Sequence, residues 1–466
     1  MVDDKYKMLA KDTIMFGVSA FASKFMIFLL LPLYTNILST TEYGEADLLI
    51  NIVNLMYPLF TLAIVEGVLR FAFSREIKSN ELIGSSLLII LGATVLLLIF
   101  YPFSGLFGIV LCKDWLYLML LFLTYTLQNL LSSFCRASGR NKVFAIQGIV
   151  QTVSLLICNL VYLVFFDWGK QGYLLAIISA YLIACTYMLI AGKIINEIIP
   201  LKVNKELLKE MLKYSIPLVP SMIAWWINNS ADKYVIIALV SIEASALYGV
   251  AHKIPTILTS ISDVFNQAFL ISSIKNLEDQ SSKEYFVKIS HIYLTINCFI
   301  ASILILFSRE LGGVFFSKEY YQGWIFVPLL VMSAVFSNLS AYLASFFRTL
   351  KNTKILFLST LIGAIINICL NVIFVRGIGT IGAAYATVIS FLIVFVIRYY
   401  SLKNIIDIKM FSLKSIFTFI IIFIQAVIVS SNLEFMHLIS VFILVIQLLI
   451  NHKEIGGLIN ILRNRI

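Results

Sequence analysis

The chain has 466 residues, of which 60% are hydrophobic and only 13% charged, and its mean hydropathy is +0.96. This composition excludes a soluble globular protein and indicates an integral membrane protein, whose spans must be helices or closed barrels. The net charge of +10 requires no nucleic acid as a partner, because basic loops facing an anionic leaflet account for it.

Continuous apolar runs without strict alternation predict an all-α polytopic membrane protein with about fourteen transmembrane helices. The predicted spans are 13–34, 46–69, 81–101, 115–135, 143–166, 172–193, 214–240, 246–271, 286–307, 324–347, 355–375, 380–400, 411–430 and 435–451. The first run lacks the short apolar region and cleavage site of a signal peptide, so we predict that it is retained as a helix. Gln425 and Gln447 interrupt the last two spans, which are short.

The distribution of Lys and Arg predicts the orientation of these helices. Alternate connections, beginning with the N-terminus, hold 27 basic residues, and the other set holds 5. Because basic loops stay on the cytoplasmic side, both termini are predicted to be cytoplasmic. We therefore expect a multi-pass membrane protein.

An internal repeat predicts the domain organisation. Similar basic segments at 136–142 and 348–354 lie 212 residues apart, and two Tyr-Gly pairs, at Tyr43 and Tyr248, lie 205 residues apart. The repeat predicts two six-helix bundles, and an even number of spans places their pseudo-two-fold axis along the membrane normal. The predicted domains are an N-terminal bundle at 1–195, a C-terminal bundle at 196–402, and a helix pair with a cytoplasmic tail at 403–466.

Three lysines lie within spans that are otherwise apolar: Lys24, Lys233 and Lys253. A charge at the centre of a bilayer costs about 2.5 to 3.5 kcal/mol on insertion scales, so such residues mark a cavity, a partner or a substrate. We therefore predict that the three lysines form a cationic central cavity that binds substrate.

Polar stripes on two spans predict further residues of this cavity. Helix 2 carries polar positions from Asp47 to Thr61, and helix 8 repeats their spacing from His252 to Asn266, at the same offset of 205. The predicted cavity-lining residues on helices 2, 7 and 8 are Asn51, Asn54, Trp225, Asn229, Asp232, His252, Thr256, Asp263, Asn266 and Gln267. The alternative is that these side chains only form hydrogen bonds between packed helices.

Glu66 and Arg70 have the favoured i, i+4 order near the end of helix 2, which predicts an ion pair that is either a structural bridge or a gate. The six cysteines show no CxxC or Cys/His spacing, so we expect no metal site and no cofactor. The longest outer connection, 308–323, is short and carries no acid/base constellation, which argues against an enzyme.

Five segments carry motifs of particular interest: ADKYVI at 231–236, LYGVAHKIP at 247–255, FNQAF at 265–269, LNV at 370–372, and the glycine-rich run at 377–387. These motifs resemble those of the Wzx-type polysaccharide flippases of the MOP exporter superfamily. The resemblance covers about 1–400. One departure is Lys233, where the family usually has arginine; lysine keeps the charge but loses the bidentate fork for phosphate.

The resemblance implies a transporter that moves undecaprenyl-diphosphate-linked oligosaccharide to the outer leaflet. Its implied partners are this glycan, membrane lipid, a polysaccharide polymerase and glycosyltransferases, and its implied location is a bacterial inner or plasma membrane. Two alternatives remain open. A fourteen-span lipid II flippase would share the additional helix pair, and a MATE-like multidrug exporter would share the twelve-helix core but favour acidic cavity residues over lysines.

Overall fold

The computed structural model describes residues 28–72, 77–101, 113–276, 282–317, 319–350, 352–403, 412–433 and 435–452. Most of the predicted first span, with Lys24, lies outside these ranges, as do the side chains of residues 267, 268 and 270–285. The described residues form helices joined by short connections, and none of them forms a strand. The predicted all-α fold is therefore confirmed.

The helices are numbered here in chain order. They are α1 (Leu31–Ile37), α2 (Thr40–Phe60), α3 (Ile64–Phe71), α4 (Ser79–Ile99), α5 (Trp115–Ala137), α6 (Asn141–Asn159), α7 (Gly169–Ala191), α8 (Ile194–Ile198), α9 (Lys205–Ser215), α10 (Val219–Leu239), α11 (Ile242–Ala251), α12 (Pro255–Asn276), α13 (Ser282–Leu306), α14 (Ser308–Phe315), α15 (Val327–Thr349), α16 (Thr353–Ile378), α17 (Ile381–Lys403), α18 (Leu413–Ser430) and α19 (Met436–Ile450). A π-helical segment, Leu160–Phe165, extends α6.

Nine of the described helices are long and apolar enough to span a membrane, and α2 with α3 makes a tenth span that is bent by 63°. These ten correspond to ten of the fourteen predicted spans. The predicted seventh span is α10, whose composition includes Asp232 and Lys233. The predicted fourteenth span, α19, has only 15 residues.

The predicted eighth span is divided into two helices, α11 and α12, rather than being continuous. Pro255 has no amide hydrogen, and the preceding residues form i→i+3 bonds, from Lys253 N to Val250 O at 3.0 Å and from Ile254 N to Ala251 O at 3.3 Å. A broken helix of this kind is tolerated at membrane depth only where it is buried in protein or lines a cavity. Lys253 therefore lies at a break in the helical backbone.

A second break separates α2 from α3. Leu62 and Ala63 have positive φ angles of 51° and 52°, and the Ala63 amide donates to Pro58 O at 3.1 Å. This break does not lie at the offset of 205 residues from the one at Lys253. The two halves of the repeat thus share polar spacing but bend at different positions.

The chain forms two compact units, Met1–Trp226 and Ile227–Ile466. The division falls inside α10, later than the predicted boundary at 195/196, because α9 packs against α3 and α4 in the first unit. In the second unit, α18 and α19 pack on α13. There Gln425 Nε2 donates to Ser302 O at 3.1 Å, and Ser302 Oγ donates to Gln425 Oε1 at 2.7 Å.

In the first unit, the connection before α9 lies directly along α4. The Lys202 amide donates to Asn80 O at 3.3 Å, and the Asn204 amide donates to Ser85 Oγ at 3.1 Å. Gly84 permits this approach, because an added Cβ would lie only 2.2 Å from the Lys202 carbonyl oxygen. Gly92, in the same helix, has open space around its Cα.

We expect Gly84→Ala to lower the stability of the purified protein by about 1 to 3 kcal/mol, because the methyl group displaces a backbone segment. Gly92→Ala is the matched control and should be neutral or stabilising by up to about 1 kcal/mol, since alanine has the higher helix propensity. Thermal unfolding of both variants in detergent measures the difference. Equal melting temperatures would contradict the close contact between Gly84 and Lys202.

Candidate functional site

A buried carboxylate in the second unit joins three helices. Asp232, in α10, is 1% exposed, and its Oδ2 accepts hydrogen bonds from the Tyr248 hydroxyl of α11 at 2.7 Å and from Thr387 Oγ1 of α17 at 2.9 Å. Thr387 Oγ1 also lies 2.9 Å from Ala383 O, so its single proton donates to one of the two oxygens at a time. Among the described residues, no group donates a hydrogen bond to the other carboxylate oxygen, Oδ1.

Two of the predicted substrate-binding lysines share a neighbour, His252, with this carboxylate. The charges of Lys233, Lys253 and Asp232 all act on His252, which follows α11. The rings of His252 and Tyr248 are 6.1 Å apart between centroids. The structure thus brings residues from α10 and from the break between α11 and α12 into one group, which we call the Asp232 cluster: Asp232, Lys233, Tyr248, His252, Lys253 and Thr387.

The local sequence accounts for this grouping. Asp232 and Lys233 are adjacent on α10 and therefore point in different directions. The carboxylate is buried against α11 and α17, whereas Lys233 is half-buried. Lys253, also half-buried, lies at the interruption of the helix before Pro255.

The polar stripe predicted on the eighth span runs from the end of α11 into α12, and it is only partly buried. His252, Thr256, Thr259, Asp263 and Asn266 are all of intermediate exposure. The two threonine hydroxyls donate to the carbonyl oxygens of Lys253, at 2.5 Å, and of Pro255, at 3.3 Å. The side chain of Gln267 lies outside the described residues. Whether this stripe lines a cavity remains a prediction.

The corresponding stripe on the second predicted span lies in α2 and is largely buried within the first unit. Asn51 Nδ2 donates to Asp47 O at 2.7 Å and to Asp47 Oδ2 at 3.1 Å, and Asn51 O accepts a bond from Trp226 Nε1 at 3.0 Å. Asn54 is half-buried. The Asn51 side chain thus stabilises its own helix, and this role does not exclude cavity lining.

Two other predicted residues of α10 differ in exposure. Trp225 is 64% exposed, while Asn229 is half-buried. Their neighbour Asn228, which is buried, donates from Nδ2 to Thr360 O of α16 at 2.8 Å. This bond holds α10 against α16 one helical turn before Asp232.

The predicted ion pair between Glu66 and Arg70 is not formed, which corrects the interpretation of these residues as a paired gate. Glu66 is in the first turn of α3, after the bend, and the charge that acts on its carboxylate is that of Arg136 at the end of α5. Arg70 is exposed. Helix α3 packs against α5, which explains why the carboxylate meets Arg136 instead.

Sequence reasoning did not assign Tyr248 and Thr387 to the site. In the sequence, Tyr248 stands out only within the Tyr-Gly repeat and the LYGVAHKIP motif, and Thr387 only as the end of the glycine-rich run. A signal was available, because a buried carboxylate in a span needs hydrogen-bond donors and both residues lie in motifs within spans.

Comparisons with known proteins agree with this fold. A family model described as polysaccharide biosynthesis protein matches residues 9–274. An uncharacterized membrane protein of Methanocaldococcus jannaschii is 26% identical over 426 residues, which cover 85% of this chain and 98% of that protein. The probable low-salt glycan biosynthesis flippase Agl15 of Haloferax volcanii is 24% identical over 259 residues, 52% of this chain and 54% of that protein.

Among solved structures, the lipid II flippase MurJ in an inward closed conformation has a TM-score of 0.70 at 19% identity, with 95% of this chain and 100% of that chain covered. At 19% sequence identity, this structural similarity establishes the fold alone. The family model covers more than half of the chain and establishes the family. The chain therefore belongs to the polysaccharide biosynthesis protein family, and its apolar helices make it a multi-pass membrane protein.

Proposed function

We propose that the protein moves an undecaprenyl-diphosphate-linked oligosaccharide, such as a capsular, O-antigen or exopolysaccharide repeat unit, from the cytoplasmic to the outer leaflet of a bacterial membrane by alternating access. Family membership and the partial match to a probable glycan biosynthesis flippase support this substrate class. The observation that carries the proposal is the Asp232 cluster, in which Lys233 and Lys253 place positive charge within membrane helices.

The chemistry of the cargo explains why such charges would be retained. A diphosphate carries about two negative charges at neutral pH, and hydrocarbon offers nothing in place of its hydration. Ammonium groups at membrane depth provide that counter-charge, while hydroxyl and amide side chains such as Thr256 and Asn229 hold sugar hydroxyls. The polyprenyl tail stays in lipid. Lys24, on the first span, is proposed as the third cation of this set.

Two energy sources fit the proposal. Moving two negative charges out of a cell with a potential of 100 mV releases about 4 to 5 kcal/mol, so the potential alone is sufficient. The competing source is antiport of a proton or sodium ion through Asp232 or Asp263. Asp232 suits this role because its Oδ1 has no hydrogen-bond donor among the described residues. Flipping that does not respond to an imposed potential would exclude the first source.

Reconstitution into vesicles tests the substrate class. Vesicles that contain the purified protein are loaded in turn with undecaprenyl-diphosphate-linked oligosaccharide and with lipid II, and a glycan-modifying enzyme added outside measures how much substrate has crossed. We expect the oligosaccharide to become accessible several times faster than in protein-free vesicles. Preferential movement of lipid II would instead favour a peptidoglycan-precursor flippase, whose fold this chain shares.

The same vesicles distinguish a MATE-like drug exporter. Such a transporter handles cationic drugs, and its cavity would need acidic residues to bind them, whereas this site combines one buried aspartate with two lysines. We therefore expect no accumulation or release of a cationic dye above the protein-free control. Dye transport without glycan flipping would contradict the proposed function.

A further inference from the structure

A buried arginine in the second unit is separate from the Asp232 cluster. Arg398, in α17, is 9% exposed and donates four hydrogen bonds of 2.9 Å to two neighbouring helices. Nη1 donates to both the carbonyl oxygen and Oγ of Ser340 in α15. Nε donates to Ser359 Oγ, and Nη2 donates to Thr360 Oγ1, both in α16. All of these acceptors are neutral.

These bonds occupy N–H donors of the guanidinium, but because the acceptors are neutral they do not balance its positive charge. A guanidinium has five N–H groups, so one remains after the four bonds. In the described part of the second unit, no acidic side chain forms an ion pair with Arg398. The sequence from 320 to 433 contains a single acidic residue, Asp407, which lies outside the described ranges. A buried charge without an opposite charge is costly.

A second cation increases this cost. Arg348, in the last turn of α15, is exposed, and its charge acts on Arg398 as a like charge. Basic residues on the cytoplasmic surface of a membrane protein are common, and this explains Arg348. It does not explain why a buried arginine is placed beside it. An anion bound between the two arginines would weaken their repulsion and would supply the opposite charge that Arg398 lacks.

We propose that Arg348 and Arg398 form a binding site for the phosphate group of a lipid, at the end of α15 and α17 that is predicted to face the cytoplasm. Arginine pairs with phosphate through two parallel hydrogen bonds, and basic pockets between transmembrane helices bind phospholipid head groups. Arg348 supplies the exposed guanidinium fork, and Arg398 supplies its remaining N–H group. The phosphate belongs either to an anionic phospholipid of the membrane or to the diphosphate of a lipid-linked cargo.

Thermal unfolding of the purified full chain in detergent tests the site. The probes are a phosphatidylglycerol, a phosphatidylcholine as zwitterionic control, and inorganic pyrophosphate. The variant is Arg348→Gln, because Arg398 ties three helices and its loss would perturb folding. Arg376→Gln is the matched control, since it removes an exposed arginine at the opposite end of α16.

We expect phosphatidylglycerol or pyrophosphate to raise the melting temperature of the wild type and of Arg376→Gln. Arg348→Gln should need about tenfold more of the same probe, the loss expected for one charge-assisted hydrogen bond. A shift with phosphatidylglycerol alone identifies a membrane phospholipid as the ligand, and a shift with pyrophosphate identifies a diphosphate. If Arg348→Gln responds to both anions as the wild type does, the proposed site does not exist. Because no transport is measured, this outcome is independent of the flipping assay.

Discussion

Replacement of Asp232 by asparagine should abolish glycan flipping while the protein remains folded and inserted. The amide oxygen of asparagine can still accept the bonds from Tyr248 and Thr387, so the packing of α10, α11 and α17 is retained. What is lost is the negative charge that balances Lys233 and Lys253 and that would bind a coupling cation. We expect the initial rate to fall at least tenfold, which corresponds to about 1.4 kcal/mol or more in activation free energy.

The two hydrogen-bond donors provide matched controls for this variant. Tyr248→Phe and Thr387→Val each remove one donor to the carboxylate but leave its charge in place. Each should destabilise the protein by about 1.5 to 3 kcal/mol, the contribution of one hydrogen bond to a charged group, since the other donor stays bonded to Oδ2. Flipping in vesicles and melting temperature are measured together for all three variants. Wild-type flipping by Asp232→Asn would exclude the carboxylate from both charge balance and ion coupling.

Neutralisation of the lysines has the second large expected effect. Lys253→Ala should abolish export, because it removes a cation from the helix break where the cluster is assembled. We expect the same of Lys24→Ala and a strong decrease for Lys233→Ala. Surface polysaccharide in cells that depend on this protein measures export, and the amount of protein in isolated membranes shows that insertion is unchanged.

Two further substitutions control for charge and position. Lys233→Arg keeps the charge and matches the residue usual in the resembling flippases, so it should retain export. Lys113→Gln removes an exposed lysine in the first unit and should also have no effect. If all three lysine-to-alanine variants export normally, the charges within the spans are structural, and the proposed cationic cavity is wrong.

Most of the helices could be predicted from the sequence because hydropathy determines where the spans lie. Apolar runs of sufficient length identify the spans, and these agree with the described helices within a few residues. Hydropathy does not predict the breaks at Leu62 and Lys253, because a bend depends on a few dihedral angles and on proline. From hydropathy, the residues around Lys253 are predicted to belong to one continuous apolar span.

The site was predicted only in part, for a similar reason. Charged residues in spans are conspicuous, and Asp232, Lys233, His252 and Lys253 are indeed brought together. Thr387 is not conspicuous, since hydroxyls are common in transmembrane helices and its contact with Asp232 depends on tertiary packing. The Glu66 to Arg70 pair failed because sequence spacing does not reveal a competing charge on a neighbouring helix, here Arg136.

The bond between Asp232 and Thr387 also has a consequence for biosynthesis, because it joins residues 155 positions apart in the chain. At a synthesis rate of about 5 to 20 residues per second, the carboxylate leaves the ribosome roughly 8 to 30 seconds before its threonine donor. Throughout that interval α10 carries both an aspartate and a lysine and is a poor substrate for the insertion machinery. We therefore expect α10 to find its hydrogen-bond donor in α17 only late in synthesis, when of the described helices of the second unit just α18 and α19 are still to follow.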